Sequence, residues 1–169
     1  ATNLDDALQM YTRYRNNLLG VISDVGFTVH KGDSADMEKL DAGIDLVKHI
    51  KADNEKMPIL LQSSQDSISA VAKELGVGFL RKYSKTLMLQ LSDYIKEEFG
   101  FGDFVFRDAN HVEYGRAANL KELEAIIREV PDEVLLYVTS KNMLSKWFMA
   151  RGLFTLGERF RSVLETQFG

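Results

Sequence analysis

Leu18-Leu19-Gly20-Val21-Ile22-Ser23-Asp24 is a short apolar run that stops abruptly on a carboxylate. Its apolar residues do not alternate with polar ones, which suits a central strand of a parallel sheet covered by helices on each side. Two later runs have the same character: Ile59-Leu60-Leu61-Gln62, opened by Pro58, and Val77-Gly78-Phe79-Leu80-Arg81. Helical spacings separate them. Ile44, Leu46, Val47 and Ile50 predict one helix, and Ile68, Val71, Ala72 and Leu75 another that stops at Gly76, a natural C-terminal cap. Ahead of the first strand, Leu4, Ala7, Leu8 and Tyr11 recur at helical spacing, with Thr2 or Asn3 placed to cap. After the third, Leu87, Leu91, Tyr94 and Ile95 predict a helix ending near Gly100. The segment from Val25 to Asp41 is polar and contains glycines, and it reads as a long loop.

Strands alternating with helices argue for an α/β fold with a doubly wound parallel sheet. In such folds ligands and reacting groups collect beyond the carboxyl ends of the strands. Asp24, Ser63 and Lys82 each stand at one of these ends, and that coincidence directs the functional reading.

The composition narrows the remaining classes. A chain of 169 residues, 45% hydrophobic and 27% charged, can bury a core and reads as soluble and globular. A net charge of −4 gives no footprint for nucleic acid or an anionic membrane. No apolar run approaches the roughly 18 residues of a membrane span. Cysteine is absent, which removes disulfides and thiolate chemistry and agrees with a cytoplasmic protein. His30, His49 and His111 lie in unrelated elements without metal-ligand spacing. The chain opens at Ala1 and enters a helix almost at once, so a longer parent protein is expected.

Past Gly100 the pattern changes, and residues 99–169 read as a second part. Phe99-Gly100-Phe101-Gly102 reads as a hinge. Asp103-Phe104-Val105-Phe106 and Val112-Glu113-Tyr114 flank the turn-like Arg107-Asp108-Ala109-Asn110, which predicts a β-hairpin. Asn119 caps a helix carrying Leu120, Leu123, Ile126 and Ile127. Pro131 starts another through Leu135 and Leu136, and Met143 to Phe168 is helical with a break at Gly152.

The order Ile22-Ser23-Asp24, then Ala42-Gly43-Ile44-Asp45-Leu46-Val47, then Pro58 to Ser64, then Gly78-Phe79-Leu80-Arg81-Lys82 resembles the receiver domains of two-component response regulators. The resemblance covers residues 1–98. It implies a flavodoxin-like doubly wound sheet lacking its first strand, followed by the hairpin and a C-terminal helical module. It makes Asp24 the phosphoacceptor, Ser63 the hydroxyl that meets the phosphoryl group, Lys82 the neutralising lysine and Phe79 the aromatic switch. The chemistry is coherent: a carboxylate attacking a phosphoryl group gives an acyl phosphate, and positioning and charge neutralisation drive the transfer. Phe79 also reads as plain core.

The sequence departs from the receiver pattern in three places. Receivers hold Mg2+ mainly through an acidic pair after their first strand. Here Thr2-Asn3-Leu4 already matches the end of strand two, and Asp5-Asp6 begins the following helix. Asp24 is then the one metal ligand left, so Mg2+ belongs to the full-length parent and no cofactor to the chain as given. Tyr83 stands where the family has proline, and the loop after Asp24 is longer. The missing strand leaves an edge bare, which predicts self-association or a strand borrowed from the hairpin.

Tyr137, Asn142, Ser145, Trp147, Ala150 and Arg151 are similar to a segment of receiver-containing bacterial proteins that resemble pyruvate phosphate dikinase or phosphoenolpyruvate synthase; Val138 replaces an expected histidine. By itself Trp147 reads as core. The resemblances together imply a phosphorelay module, not itself an enzyme, that answers a histidine kinase or other phosphodonor. Its state would be relayed through hairpin and helices to an attached catalytic domain. The alternative is a pseudo-receiver serving only protein–protein interaction or oligomerisation. A small enzyme is disfavoured, because no glycine-rich phosphate loop follows a strand and no nucleophile–base pair is evident.

Overall fold

The computed structural model describes the backbone of residues 1–167 and the side chains of residues 1–161. Phe168, the end of the last expected helical run, lies outside the described residues. The chain divides into two compact units, Ala1–Leu91 and Ser92–Gly169, with the boundary inside a helix.

In the first unit the three apolar runs become β1 (Val21–Asp24), β2 (Ile59–Ser63) and β3 (Gly78–Arg81). They pair in parallel in the order β1-β2-β3. Three helices accompany them, α1 (Leu4–Tyr14), α2 (Ala42–Asp53) and α3 (Ile68–Glu74), and α4 (Leu87–Glu98) runs across the boundary into the second unit. Parallel strands need crossover connections, and α2 and α3 supply them. Asn3 caps α1 by accepting from the Asp6 amide at 2.8 Å.

One face of the sheet, carrying Val21, Ile59, Leu61 and Phe79, packs with residues of α1, α2 and α3 in a single core. Burying a Leu or Ile there contributes about 1.5–3 kcal/mol each. Leu60 and Leu80 on the opposite face are also buried. Tyr11 of α1 donates to Asp53 of α2 at 2.7 Å, and burial together with that carboxylate pushes its phenol up to about 12.

Two expectations need correction here. Among the described residues β1 is an edge strand, which agrees with the expected bare edge and corrects the reading of a central, covered strand; Ile22 on it is 42% exposed. The stretch after Asp24 is no loose loop. Phe27 and Lys39 form an antiparallel bridge, and Asn3 and Thr28 a parallel one. Phe27 and Val29 pack on the core. Their alternation with polar neighbours supplies the reason, because side chains of extended backbone point alternately to either side.

In the second unit β4 (Phe104–Arg107) and β5 (Glu113–Ala117) form the hairpin. Its turn is held by Asp108, whose Oδ1 accepts from the amides of Asn110 and Val112. Among the described residues the hairpin is a sheet of its own, which corrects the expectation that it supplies a strand to β1. Four helices follow: α5 (Leu120–Ile127), α6 (Asp132–Ser140), α7 (Met143–Ala150) and α8 (Phe154–Gln167). Asn119 accepts from the Glu122 amide while Glu122 accepts from the Ala118 amide, a reciprocal cap. Phe104, Phe106, Trp147 and Phe148 share one core with Val134 and Val138.

The expected hinge at Phe99–Gly102 is also corrected, because the segment is tied down. Gly100 adopts φ +80°, and a Cβ there would stand 2.9 Å from the Trp147 amide nitrogen. Trp147 Nε1 donates to the Gly102 carbonyl at 3.0 Å, and Arg151 donates to the carbonyls of Gly100 and Gly102. Among the described residues no helix is long and apolar enough to cross a membrane.

Candidate functional site

The register of the parallel sheet decides what meets at its carboxyl edge. Asp24 lies opposite Gln62, and Gln62 opposite Leu80. The ladders continue one step past the strands, with the Val25 amide donating to Gln62 and the Lys82 amide to Ser63. Asp24 and Lys82 therefore leave their strands on the same face, the one opposite the α1–α3 core, and their side chains meet. Lys82 Nζ stands 2.9 Å from Asp24 Oδ2, with the side chains 32% and 48% exposed. A pair this open contributes under about 1 kcal/mol to stability. Its position, more than its energy, is what distinguishes it.

Ser63 ends on the other face of the sheet, because successive side chains alternate. Its hydroxyl is buried and accepts from the Gln65 amide at 3.1 Å. Phe79 shares that face and packs, half-buried, against the core. The four residues singled out in the sequence thus fall into two pairs: Asp24 with Lys82, and Ser63 with Phe79. Among the described residues no side-chain hydrogen bond joins the pairs; the backbone bond from the Lys82 amide to the Ser63 carbonyl does.

Two residues that the sequence reading left out shape the site. Gln62 stands between the rows of Asp24 and Lys82 and shares their face; strand alternation with a correct register was the signal for it. Gly43, in the first turn of α2, is pressed against the end of β1. Its amide donates to the Val25 carbonyl at 2.8 Å, and a Cβ would lie 2.1 Å from the Asp24 carbonyl oxygen. Only glycine permits that approach. Backbone contacts from α2 and β2 therefore hold the Asp24 main chain from two directions.

Lys82 is followed by Tyr83, which adopts φ +64° and is 90% exposed. A bulky side chain in left-handed backbone costs on the order of 1–3 kcal/mol. The Lys82 amide bond to Ser63 fixes one side of this turn. Ser84 fixes the other, accepting at Oγ from the Thr86 amide. At the same edge Arg81 pairs with Asp66 at 3.2 Å.

The set of donors does not fit magnesium. Asp24 offers one carboxylate, already engaged by Lys82, and among the described residues no three His, Cys, Asp or Glu side chains are grouped to hold a metal ion.

Of the residues behind the second resemblance, Ser145, Trp147 and Arg151 are engaged in packing and backbone contacts, whereas Asn142 Oδ1 is buried without a hydrogen-bond partner among the described residues. Trp147 is buried, its indole donor taken by Gly102. The Arg151 guanidinium lies 3.6 Å over the Trp147 ring, and its donors are taken by backbone carbonyls. The Ser145 hydroxyl donates to the Gly157 carbonyl, joining α7 to α8. Comparison of the chain with protein-family models, with curated proteins and with solved structures finds no match.

Proposed function

We propose that the chain is a regulatory phosphoacceptor module, receiver-like and flavodoxin-like in its first unit, with Asp24 as the acceptor. The observation that carries this reading is the Asp24–Lys82 pair at the carboxyl edge of the parallel sheet. With Oδ2 held by Lys82, Asp24 Oδ1 attacks the phosphorus of an activated donor such as acetyl phosphate. The bond from phosphorus to the acetate oxygen breaks, acetate leaves and an aspartyl phosphate forms. Lys82 balances charge on the incoming group, and its contact with Asp24 must loosen as it does so. Ser63 and Phe79, on the other face, would sense the change through β2 and β3.

In this reading the module is not an enzyme. It takes phosphate from a histidine kinase or a small phosphodonor in the cytoplasm and controls an attached phosphoenolpyruvate- or pyruvate-utilising enzyme, with Mg2+ ligands supplied by the longer parent. Incubation of the N-terminally extended parent protein with acetyl phosphate and magnesium is expected to add one phosphoryl group to this module. Asp24→Asn abolishes the uptake while the circular dichroism stays unchanged; uptake that persists in that variant removes Asp24 from the role.

A second reading is favoured by one observation, the open edge of β1 with Ile22 exposed on it. Unpaired strand edges recruit other chains. A pseudo-receiver that only self-associates or binds a partner would sediment with a concentration-dependent mass and take up no phosphate.

A further inference from the structure

The extended segment after Asp24 returns to the start of α1 and is fastened there. The Leu4 amide donates to the Thr28 carbonyl at 3.0 Å and the Asp5 amide to Val29 at 3.1 Å. Immediately beyond, His30 Nδ1 stands 2.8 Å from Asp5 Oδ2, while the His30 amide donates to Asp33 Oδ2 at 2.8 Å. One imidazole thus joins a carboxylate of α1 to a segment that is itself folded back through Asp33. The Phe27–Lys39 bridge inside the segment, and the backbone bonds of Val25 to Gln62 and Gly43, contain no group that titrates near neutral pH.

We propose that His30 and Asp5 form a pH-sensitive clasp that fastens the segment following Asp24 to the first turn of α1 when the imidazole is protonated. The charged groups acting on the ring are Asp5 from α1 and Asp33 from the segment itself. The hydrogen bond to Asp5 raises the imidazole above its usual value, and the charges of Asp5 and then Asp33 add to the shift. A group raised in the folded state stabilises fully below its unfolded value near 6.5, and that stabilisation is lost as pH rises through the folded value. The clasp is closed in mild acid and weakens above neutrality. A neutral ring can keep a hydrogen on Nδ1, so deprotonation removes the charge attraction first and the contact second. The ion pair is solvent-exposed, which limits the effect to a modest bias rather than unfolding.

This inference does not rest on the phosphoacceptor reading, and its test uses no phosphodonor. NMR titration of the full chain is expected to show His30 above the ordinary histidine value, and Asp5→Asn to return it there. Amide exchange then reads the clasp itself. The protection of the Leu4 and Asp5 amides, divided by their protection in His30→Gln, should be about two- to fivefold at about pH 5 and close to one at about pH 9. An ordinary titration of His30 in the unaltered chain, or a protection ratio that does not change with pH, overturns the proposal.

Discussion

Two clusters of polar side chains, one in each unit, are placed in opposite ways. In Ser92–Gly169, Ser145, Trp147 and Arg151 are drawn into or against the core, and their donors are committed to backbone carbonyls. In Ala1–Leu91, Asp24 and Lys82 stand half-exposed at the carboxyl ends of their strands, paired with each other, and Tyr83 beside them occupies a strained backbone. Buried polar groups must be satisfied or they cost stability, so the first arrangement is what packing alone produces. The second gains little from its ion pair and tolerates strain, which is how sites differ from scaffolds. Polar residues at motif-like spacing therefore mean different things according to whether their bonding capacity is used up.

The most severe way to break the contrast is to empty the scaffold of the second unit. Trp147→Ala removes the ring that meets Phe104 and Phe148 edge-on and leaves the Gly102 carbonyl without its indole donor. A loss of about 3–5 kcal/mol is expected in urea unfolding. Asp24→Asn should cost under about 1 kcal/mol in the same assay. Comparable losses for the two would erase the distinction between scaffold and site.

Gly43→Ala probes the one place where scaffold and site coincide. Its methyl group has backbone on the far side, Asp24 carbonyl and Val25 Cα, neither of which can rotate away. Moving α2 to make room should cost about 1–3 kcal/mol and also lower phosphoryl uptake at Asp24. A variant of unchanged stability and uptake would mean that α2 does not hold the acceptor.

The smallest effect runs in the opposite direction. Tyr83→Gly relieves the left-handed strain but frees the unfolded chain, a net gain of about 0.5–1 kcal/mol. A raised unfolding midpoint confirms that Tyr83 is carried at a cost. A lowered one would show that its exposed ring makes a stabilising contact.

The apolar runs made the parallel strands legible, and Asn119, Pro131 and Gly152 marked helix boundaries because capping and backbone restriction are local. What eluded the sequence was non-local. Val25, Phe27 and Val29 alternate as a strand does, yet the glycines and charges around them masked it. The Phe99–Gly102 segment has the composition of a hinge and is fastened by Trp147 and Arg151, far along the chain. For the site, strand ends alone grouped Asp24, Ser63 and Lys82. Register then divided them, because Gln62 and not Ser63 lies opposite Asp24. A shift of one residue moves a side chain to the other face, and no apolar pattern specifies register at a strand's last residue.

The central claim is that Asp24 accepts a phosphoryl group, and its most direct test is chemical trapping. The N-terminally extended parent protein, incubated with acetyl phosphate and magnesium, is reduced with borohydride, which converts an aspartyl phosphate to homoserine, and is mapped by peptide mass spectrometry. The account predicts homoserine at position 24, and none there when acetyl phosphate is omitted. Intact aspartate at position 24 in a folded, phosphodonor-treated chain, or homoserine at another carboxylate, contradicts it.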